Sequence, residues 1–303
     1  MKQLGVIVPI VTPCTPAGKI DVGGLQAVCD DQMNAGCHGI FVNGTTGRGP
    51  WFSRKDRMTI CKTIAGRIKK GTPLMAGCMA AGLDEMLGNA KAMADCGAHM
   101  AVATAPMYFP YSGKELESIF LKFADASPIP IIIYDIPDLT GTGLKPELLV
   151  KLAKHQNVAG FRDSSANYDN FKQLLDTLGA SVPDFLLMQG KEHLLKDSLV
   201  AGASGFVVSL LHVNPRPFVA LYNAVQKGDE QTAQRMQEVI KEIMECCKVC
   251  FAKAGNFSTL SHFLNTALKM RGINVNICLE HEGECPDWLA EKARQAVELS
   301  MES

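Results

Sequence analysis

The stretch that decides the fold is Asn34-Ala-Gly-Cys-His-Gly-Ile-Phe-Val42, in which a helix-like segment stops at glycines and runs directly into an apolar run. The pattern recurs where Asp95-Cys-Gly-Ala98 precedes Met100-Ala-Val102, and where Val200-Ala-Gly-Ala-Ser-Gly205 precedes Phe206-Val-Val208. Glycine tolerates the left-handed conformation that ends many helices. The apolar runs do not alternate with polar residues, which predicts strands buried on both faces, as in a parallel sheet.

Eight such runs occur before residue 210, with amphipathic helical stretches such as 54–69 and 145–154 between them. The predicted strands are 6–11, 39–42, 74–77, 100–103, 131–134, 158–161, 185–188 and 205–209. Eight strand–helix units of this length predict an α/β fold, the (β/α)8 TIM barrel. A doubly wound open sheet is the alternative. We do not favour it, because no Gly-rich phosphate-binding fingerprint follows the first strand.

The character of the chain changes after residue 228, where helical patterns continue without further strand-like runs. We therefore predict a barrel over residues 1–228, followed by a C-terminal helical region, or helical extension, over 229–303. No flexible linker or low-complexity tract separates the two regions.

Composition limits the classes of partner. The 303 residues include 30 Lys and Arg against 31 Asp and Glu, for a net charge of -1, which argues against a nucleic-acid partner. The first apolar run is short and contains Pro9, so it does not resemble a secretion signal, and no later run approaches a membrane span. Eleven scattered cysteines, an odd number, suggest reduced thiols. We expect a cytoplasmic protein without nucleic-acid or membrane partners.

Active sites of such barrels form at the carboxyl ends of the strands. There, the turn Gly44-Thr-Thr-Gly47 offers hydroxyl and backbone N–H groups that can hold a carboxylate, and Tyr134 can transfer a proton. An ordinary Gly/Thr turn and a core tyrosine are the structural alternatives. The candidate site residues at these strand ends are Thr45, Thr46, Gly47, Tyr108, Tyr134, Arg162, Gly190, Lys191, Glu192 and Ser209.

Three motifs together resemble those of the dihydrodipicolinate synthase and N-acetylneuraminate lyase superfamily of class I aldolases. They are Phe41-Val-Asn-Gly-Thr-Thr-Gly47, Tyr134-Asp-Ile-Pro-Asp-Leu-Thr-Gly141 and Gly160-Phe-Arg-Asp-Ser-Ser165, and the resemblance covers nearly the whole chain. It implies a homo-oligomer, a dimer or homotetramer, that needs no cofactor or metal. Its substrate would be pyruvate, another 2-oxo acid or an acidic sugar.

The resemblance also implies roles for individual residues. With it, the predicted catalytic residues are Tyr108, Tyr134 and Arg162, and the other candidate site residues are predicted to bind the substrate. Thr45 and Thr46 would hold the substrate carboxylate, Tyr134 would relay protons, and Tyr108 matches a tyrosine that reaches a neighbouring subunit's site. Leu139 occupies the position where the dihydrodipicolinate branch usually has an arginine for a second carboxylate, which argues against lysine biosynthesis. Arg48 replaces the usual glutamate after the Gly-Thr-Thr-Gly turn.

The most consequential departure is Arg162, which stands where the family has its Schiff-base lysine. A guanidinium stays protonated and is a poor nucleophile, whereas a Schiff-base amine must lose its proton. Three interpretations follow. Arg162 polarises a carbonyl or pairs with a carboxylate in a lyase without a Schiff base, or Lys191 is a relocated nucleophile, or the protein is a catalytically silent binding or regulatory protein. We favour a lyase-type enzyme, an aldolase or hydro-lyase.

Other polar signals have structural explanations. Cys246 and Cys250 share a helix face while Cys247 points elsewhere, and without a second ligand pair we predict packing cysteines and not a zinc site. We also interpret His193 and His212 as structural histidines. Asp163 and Ser164 are predicted to cap the helix that follows the sixth strand.

Overall fold

The apolar runs form eight parallel strands that close into a barrel in the computed structural model, which describes residues 2–301. The strands are β1 (Gly5–Pro9), β2 (Gly39–Val42), β3 (Leu74–Gly77), β4 (Met100–Ala103), β5 (Ile131–Asp135), β6 (Val158–Asp163), β7 (Leu186–Gln189) and β8 (Gly205–Val207). Each strand pairs with the next in the chain, and Gly5 pairs with Gly205 to close the ring. The (β/α)8 prediction is confirmed.

Three strands, β5, β6 and β7, extend one or two residues beyond the predicted ends because polar side chains take part in the ladder, whereas β1 and β8 end two residues before the predicted ends. Tyr134 pairs with Arg162 and Asp135 pairs with Asp163, so β5 and β6 continue past their apolar runs. Because side chains alternate along a strand, Tyr134 and Arg162 point into the barrel while the two aspartates point outward. Ser209 lies beyond β8, at the start of a 3₁₀ turn.

Helices return the chain between strands. They are α1 (Val22–Asn34), α2 (Arg54–Ala65), α3 (Leu83–Asp95), α4 (Gly113–Ala126), α5 (Pro137–Thr140), α6 (Pro146–Leu152), α7 (Tyr168–Ser181), α8 (Leu195–Val200) and α9 (Arg216–Lys227). Short polar side chains cap several of them, as Ser112 and Glu115 do in a capping box on α4. The prediction that Asp163 or Ser164 caps the helix after β6 is wrong, because Asn167 accepts the capping bond from Asn170 N–H.

The core has two layers. Inside the barrel, inward-facing residues of the strands pack against one another, and they are Ile7, Phe41, Met75, Val102, Ile132, Tyr134, Leu186, Met188 and Val207. A larger layer fills the space between the strands and the surrounding helices. The barrel interior is therefore packed, and polar chemistry is confined to its carboxyl-end mouth.

Three further helices form the C-terminal region: α10 (Glu230–Ala254), α11 (Phe257–Met270) and α12 (Asp287–Met301). Cys246, Cys247 and Cys250 are all buried on α10. Cys246 and Cys250 lie near Lys292 of α12, whereas Cys247 lies near Glu192. Within residues 2–301 no group of three or more Cys, His, Asp or Glu side chains is placed to hold a metal ion. None of the described helices combines the length and apolar character required to cross a bilayer.

Candidate active site

Arg162 lies at the end of β6, inside the mouth of the barrel, with 5% of its surface exposed. Its Nη2 donates to the Val207 carbonyl at 2.8 Å, and its guanidinium carbon lies 4.2 Å from the centroid of the Tyr134 ring. The Phe41 ring lies 5.8 Å away from the same carbon. The Nε of Arg162 is buried and has no acceptor among residues 2–301. The cation is thus held in place while its buried Nε–H has no acceptor among residues 2–301.

The electrostatic surroundings of Arg162 favour binding of an anion. Burial lowers the pKa of Arg162, while Tyr134, Glu192 and Asp163 act in the opposite direction, and an arginine remains charged. Burial also raises the pKa of the Glu192 carboxyl, which shifts it toward its neutral form. Glu192 Oε1 accepts a bond from Ser209 Oγ at 3.5 Å and from Leu210 N–H at 3.4 Å. The fold therefore brings Arg162, Tyr134, Glu192 and Ser209 to one side of the mouth.

Gly190 allows the ends of β6 and β7 to approach each other. A Cβ atom at this position would lie 2.5 Å from the Asp163 carbonyl and would overlap Ser164 Oγ. The side chain of Gln189, which is fully buried, accepts the N–H groups of Gly190 and Lys191 at 2.9 and 3.0 Å. Sequence reasoning missed this role of Gln189, which fixes the turn that carries the predicted binding residues.

Lys191 lies at the rim of the mouth. Its Nζ is 3.6 Å from Asp138 Oδ2, and that aspartate side chain is 77% exposed. The amine of Lys191 thus pairs with a solvent-facing carboxylate on α5.

The Gly-Thr-Thr-Gly turn follows β2 and packs against the chain after β1. Thr12 Oγ1 donates to the Gly47 carbonyl at 2.7 Å, and Arg48 N–H donates to the Thr45 carbonyl at 2.9 Å. The N–H groups of Thr45, Thr46 and Gly47 have no acceptor within the described part of the chain. Successive free N–H groups of this kind can bind an anion.

A cavity of about 320 Å³ opens beside this turn, and we call it the mouth cavity. Its apolar lining consists of Pro50, Trp51, Met79, Met107, Ile136, Leu139, Phe257 and Leu279. Its polar lining consists of Thr45, Arg48, Thr104, Thr140, Ser258, His281 and Glu282. Thr46 does not line it, and belongs instead to a smaller cavity beside Thr12 and Ser261. The adjacent residues Thr45 and Thr46 therefore line two different cavities.

A nearly buried ion pair closes one side of the mouth cavity. Arg48 Nη2 lies 2.6 Å from Glu282 Oε2 and also donates to Ser261 Oγ. Burial acts to raise the pKa of Glu282, but bonds from Leu279 N–H and Arg48 outweigh it and hold that pKa below its usual range. The pair therefore ties the segment between α11 and α12 to the turn after β2.

Tyr108 is not brought to Arg162 within its own chain. Its side chain is 86% exposed, its φ is 92°, and its ring meets the ring of Phe109 edge-on at 4.9 Å. Phe109 is also 60% exposed. The loop after β4 thus presents two aromatic rings to the surroundings.

Two carboxyl groups behind the site, those of Asp135 and Asp163, are buried, which the sequence analysis did not predict. Asp135 accepts from Leu144 N–H, and burial raises its pKa to about 7, with the nearby Asp163 adding to the effect. Asp163 Oδ1 accepts from Ser165, whereas its Oδ2 is buried without a partner among residues 2–301. Strand alternation could have placed both carboxyls on the outer face, but it could not have shown that helices cover them.

The two histidines differ in burial. His212 is fully buried, accepts from Val11 N–H through Nε2 and contacts the Ser209 carbonyl through Nδ1, and burial lowers its pKa to about 4. It therefore supports the backbone, as the structural interpretation expected. His193 lies on the turn after Glu192, is partly buried, and burial lowers its pKa as well.

The chemistry available at the mouth is that of a fixed cation, a buried phenol and a carboxyl group shifted toward its neutral form. A guanidinium with a free donor can pair with a carboxylate or polarise a carbonyl oxygen. A phenol or carboxyl group can move a proton. The end of β6 itself offers no nucleophilic amine.

Comparison with known proteins gives a consistent result. A model of the dihydrodipicolinate synthetase family matches residues 2–295. An uncharacterised DapA-like lyase of Halobacterium salinarum is 28% identical over 244 residues, 80% of this chain and 79% of that protein. A probable 2-dehydro-3-deoxy-D-pentonate aldolase of Escherichia coli is 25% identical over 243 residues, 80% and 81% of the two chains. The dihydrodipicolinate synthase structure from Bacteroides thetaiotaomicron has a TM-score of 0.89 at 28% identity, and covers 98% of this chain and 99% of its own.

Proposed function

Because the chain belongs to the dihydrodipicolinate synthetase family, we propose that it is a lyase-type enzyme that acts on a 2-oxo acid without a Schiff base. The observation that carries the proposal is the Arg162 guanidinium, which is buried, anchored to Val207 and left with an unpaired Nε among the described residues. An unpaired buried donor is costly unless a ligand serves it. The reaction class is supported by the relatives from Halobacterium salinarum and Escherichia coli, a DapA-like lyase and a probable aldolase.

The proposed mechanism assigns one role to each group. The substrate carboxylate accepts bonds from the free N–H groups of the Thr45–Gly47 turn. Arg162 faces the 2-oxo carbonyl oxygen and stabilises the enolate of a 4-hydroxy-2-oxo acid. In an aldol cleavage this enolate forms when the C3–C4 bond breaks and is then protonated at C3. In a dehydration it forms when C3 loses a proton, and it then expels the 4-hydroxyl as water. Tyr134 moves the proton, as a positioned phenol can. Preorganised charges of this kind need no rearrangement during the reaction, which is why they stabilise the transition state effectively.

A catalytically silent binding protein is the second candidate. It is favoured by the same residue, because a guanidinium can hold a carboxylate tightly but cannot form the covalent intermediate that the family resemblance implies. The two candidates differ in turnover. An enzyme consumes its ligand, whereas a binding protein only gains thermal stability from it.

We further propose that the chain forms a homo-oligomer, a dimer or a tetramer. Exposed aromatic rings such as Tyr108 and Phe109 are typical of surfaces that another chain covers. Tyr108 would then approach the site of a neighbouring copy. Sedimentation of the wild-type protein beside Tyr108→Ser with Phe109→Ser tests this, and a monomeric wild-type protein contradicts it.

The function is tested by turnover and trapping together. The protein is incubated with a panel of 4-hydroxy-2-oxo acids with sugar-like and aryl side chains, and released pyruvate is measured with lactate dehydrogenase. In parallel, pyruvate and borohydride are added and the intact mass is read, with a lysine-dependent lyase of the family as the labelled control. We expect pyruvate release without a trapped adduct.

The other outcomes discriminate between the remaining interpretations. An adduct mapped to Lys191 would contradict the proposal and identify a relocated nucleophile. Binding of panel members without any turnover would identify a binding protein. Arg162→Met, which removes the charge but keeps much of the bulk, should weaken 2-oxo acid binding by at least about 30-fold, the lower end for loss of a buried charge pair.

A further inference from the structure

We infer that the ligand of this site carries an apolar group, best filled by an aromatic ring, beyond its 2-oxo acid end. The inference rests on the proposed function and concerns the mouth cavity. The cavity adjoins the proposed carboxylate site, because Thr45 belongs to both. A ligand whose carboxylate lies at the Thr45 turn therefore extends its other end into this space.

The walls of the mouth cavity are mainly apolar. Trp51, Met79, Met107 and Leu279 come from four different segments and surround the space together with Leu139. The Trp51 ring also packs on the His281 ring, with the centroids 4.9 Å apart. The volume of about 320 Å³ lies at the small end of the range for ligand sites. It suits one compact group better than a long chain.

The charges in the wall are already paired. Arg48 and Glu282 neutralise each other at 2.6 Å, so the cavity offers no free cation for a second carboxylate among its described lining residues. Leu139, another lining residue of the cavity, carries no charge. Among the fully buried donors of the wall, Arg48 Nη1 has no acceptor in residues 2–301. It can serve a single acceptor at the far end of the ligand.

A polyhydroxylated chain fits these walls poorly. Its hydroxyl groups would need several partners in a mainly apolar wall. The Thr140 hydroxyl is already bonded to the carbonyls of Ile136 and Thr142, which leaves the hydroxyls of Thr45, Thr104 and Ser258 among the described lining residues. A buried hydroxyl without a partner opposes binding, whereas an apolar group gains from leaving water. One methylene in an apolar pocket typically changes binding by about 10-fold or more. The cavity therefore discriminates by the polarity of the distal group.

The test compares three ligands that share one head group: pyruvate, 2-oxo-4-phenylbutanoate and 2-keto-3-deoxygluconate. Titration calorimetry on the protein should give an affinity for the phenyl acid at least about 10-fold above that for pyruvate. The sugar acid should bind no better than pyruvate. Leu139→Arg should lower the affinity for the phenyl acid and raise the affinity for 2-oxoglutarate, each by about 10-fold. The control Val200→Arg adds the same charge at a 62% exposed position of α8 and should change neither.

The outcomes separate this inference from the proposed function. If pyruvate binds but the sugar acid binds as tightly as the phenyl acid, the apolar assignment is overturned and the proposed function stands. If Leu139→Arg leaves the preference unchanged, the distal group does not lie in the mouth cavity and the inference is overturned. If none of the three acids binds, both the inference and the proposed function are overturned.

Discussion

The guanidinium carbon of Arg162 lies 4.2 Å from the ring centroid of Tyr134, and the two residues are paired in register on adjacent strands. A cation over an aromatic face is attracted to it, by about 2 kcal/mol when both are shielded from water. The ring therefore holds the arginine in position, whereas the hydroxyl is available for proton transfer. These two functions of Tyr134 can be separated by substitution.

Tyr134→Phe keeps the ring below Arg162 and removes the hydroxyl. We expect the affinity for 2-oxo acids to change by less than about 3-fold, while turnover falls by about 10² to 10⁴-fold, the usual contribution of a proton-transfer group. Calorimetry and the pyruvate-release assay measure the two effects. Equal turnover in the variant and the wild type would rule out the relay. Tyr134→Ala, which removes the ring as well, should lose binding too.

Arg162→Lys places a primary amine at the end of β6. Burial beside a packed aromatic core favours the neutral amine, which is the nucleophilic form. We expect pyruvate and borohydride to label this variant at the introduced amine and to leave the wild type unlabelled, as read by intact mass and peptide mapping. The matched control is Arg162→Lys combined with Lys191→Met, which should label equally. Labelling that depends on Lys191 would locate the reactive amine at the rim.

Glu282→Gln leaves the Arg48 charge nearly buried without its counter-ion. Breaking a buried pair from one side typically costs about 3–5 kcal/mol, so the free energy of unfolding should fall by about that amount in urea titrations. Glu117→Gln is the matched control, because its pair with Lys151 is exposed and should change stability by less than about 1 kcal/mol. Replacing both partners, Arg48→Met with Glu282→Leu, should recover much of the loss. A small effect of Glu282→Gln would show that the pair does not stabilise the mouth.

Asp135→Asn should alter the pH dependence of stability. Burial raises the pKa of this carboxyl to about 7, from an ordinary value of 3.8, so between these pH values the folded protein holds a proton that the unfolded chain has released. The free energy of unfolding therefore decreases as the pH rises through this window, by at most about 1.4 kcal/mol per pH unit. Asp135→Asn lacks this pH-dependent contribution to the free energy of unfolding.

The measurement is a set of urea titrations between pH 4 and 8, taken as the difference between Asp135→Asn and the wild type. The variant should gain stability relative to the wild type as the pH rises, and the gain should level off above about pH 7. The control Asp184→Asn removes the same charge at an exposed position. A pH-independent difference for Asp135→Asn would contradict the proton uptake.

Most of the fold follows from local sequence patterns, because a buried parallel strand must be apolar on both faces and a helix end commonly needs a glycine. Those two requirements placed eight strands within one or two residues. The errors lie at the strand ends: Asp135, Asp163 and Gln189 extend the ladder beyond the apolar runs, whereas β1 and β8 end two residues before their apolar runs do. Hydropathy alone does not reveal a carboxyl group that is covered by helices.

The candidate site was less accessible to sequence reasoning. The strand-end rule selected Arg162, Glu192 and Ser209, which the structure brings to one side of the mouth. It did not reveal the apolar cavity, whose walls come from segments far apart in the chain. Nor could it pair Arg48 with Glu282, since that contact depends on how the C-terminal helices pack on the barrel.

The Arg48–Glu282 contact joins residues that are 234 positions apart, so during synthesis Arg48 is made well before its ionic partner. At ordinary translation rates, roughly 10–50 s separate the appearance of the two residues at the ribosome. During that interval the Gly-Thr-Thr-Gly turn and Arg48 have been made, but Glu282 has not. Arg48 therefore has no Glu282 to pair with during that interval. The part of the mouth-cavity wall that Glu282 contributes is also missing until the segment between α11 and α12 is made.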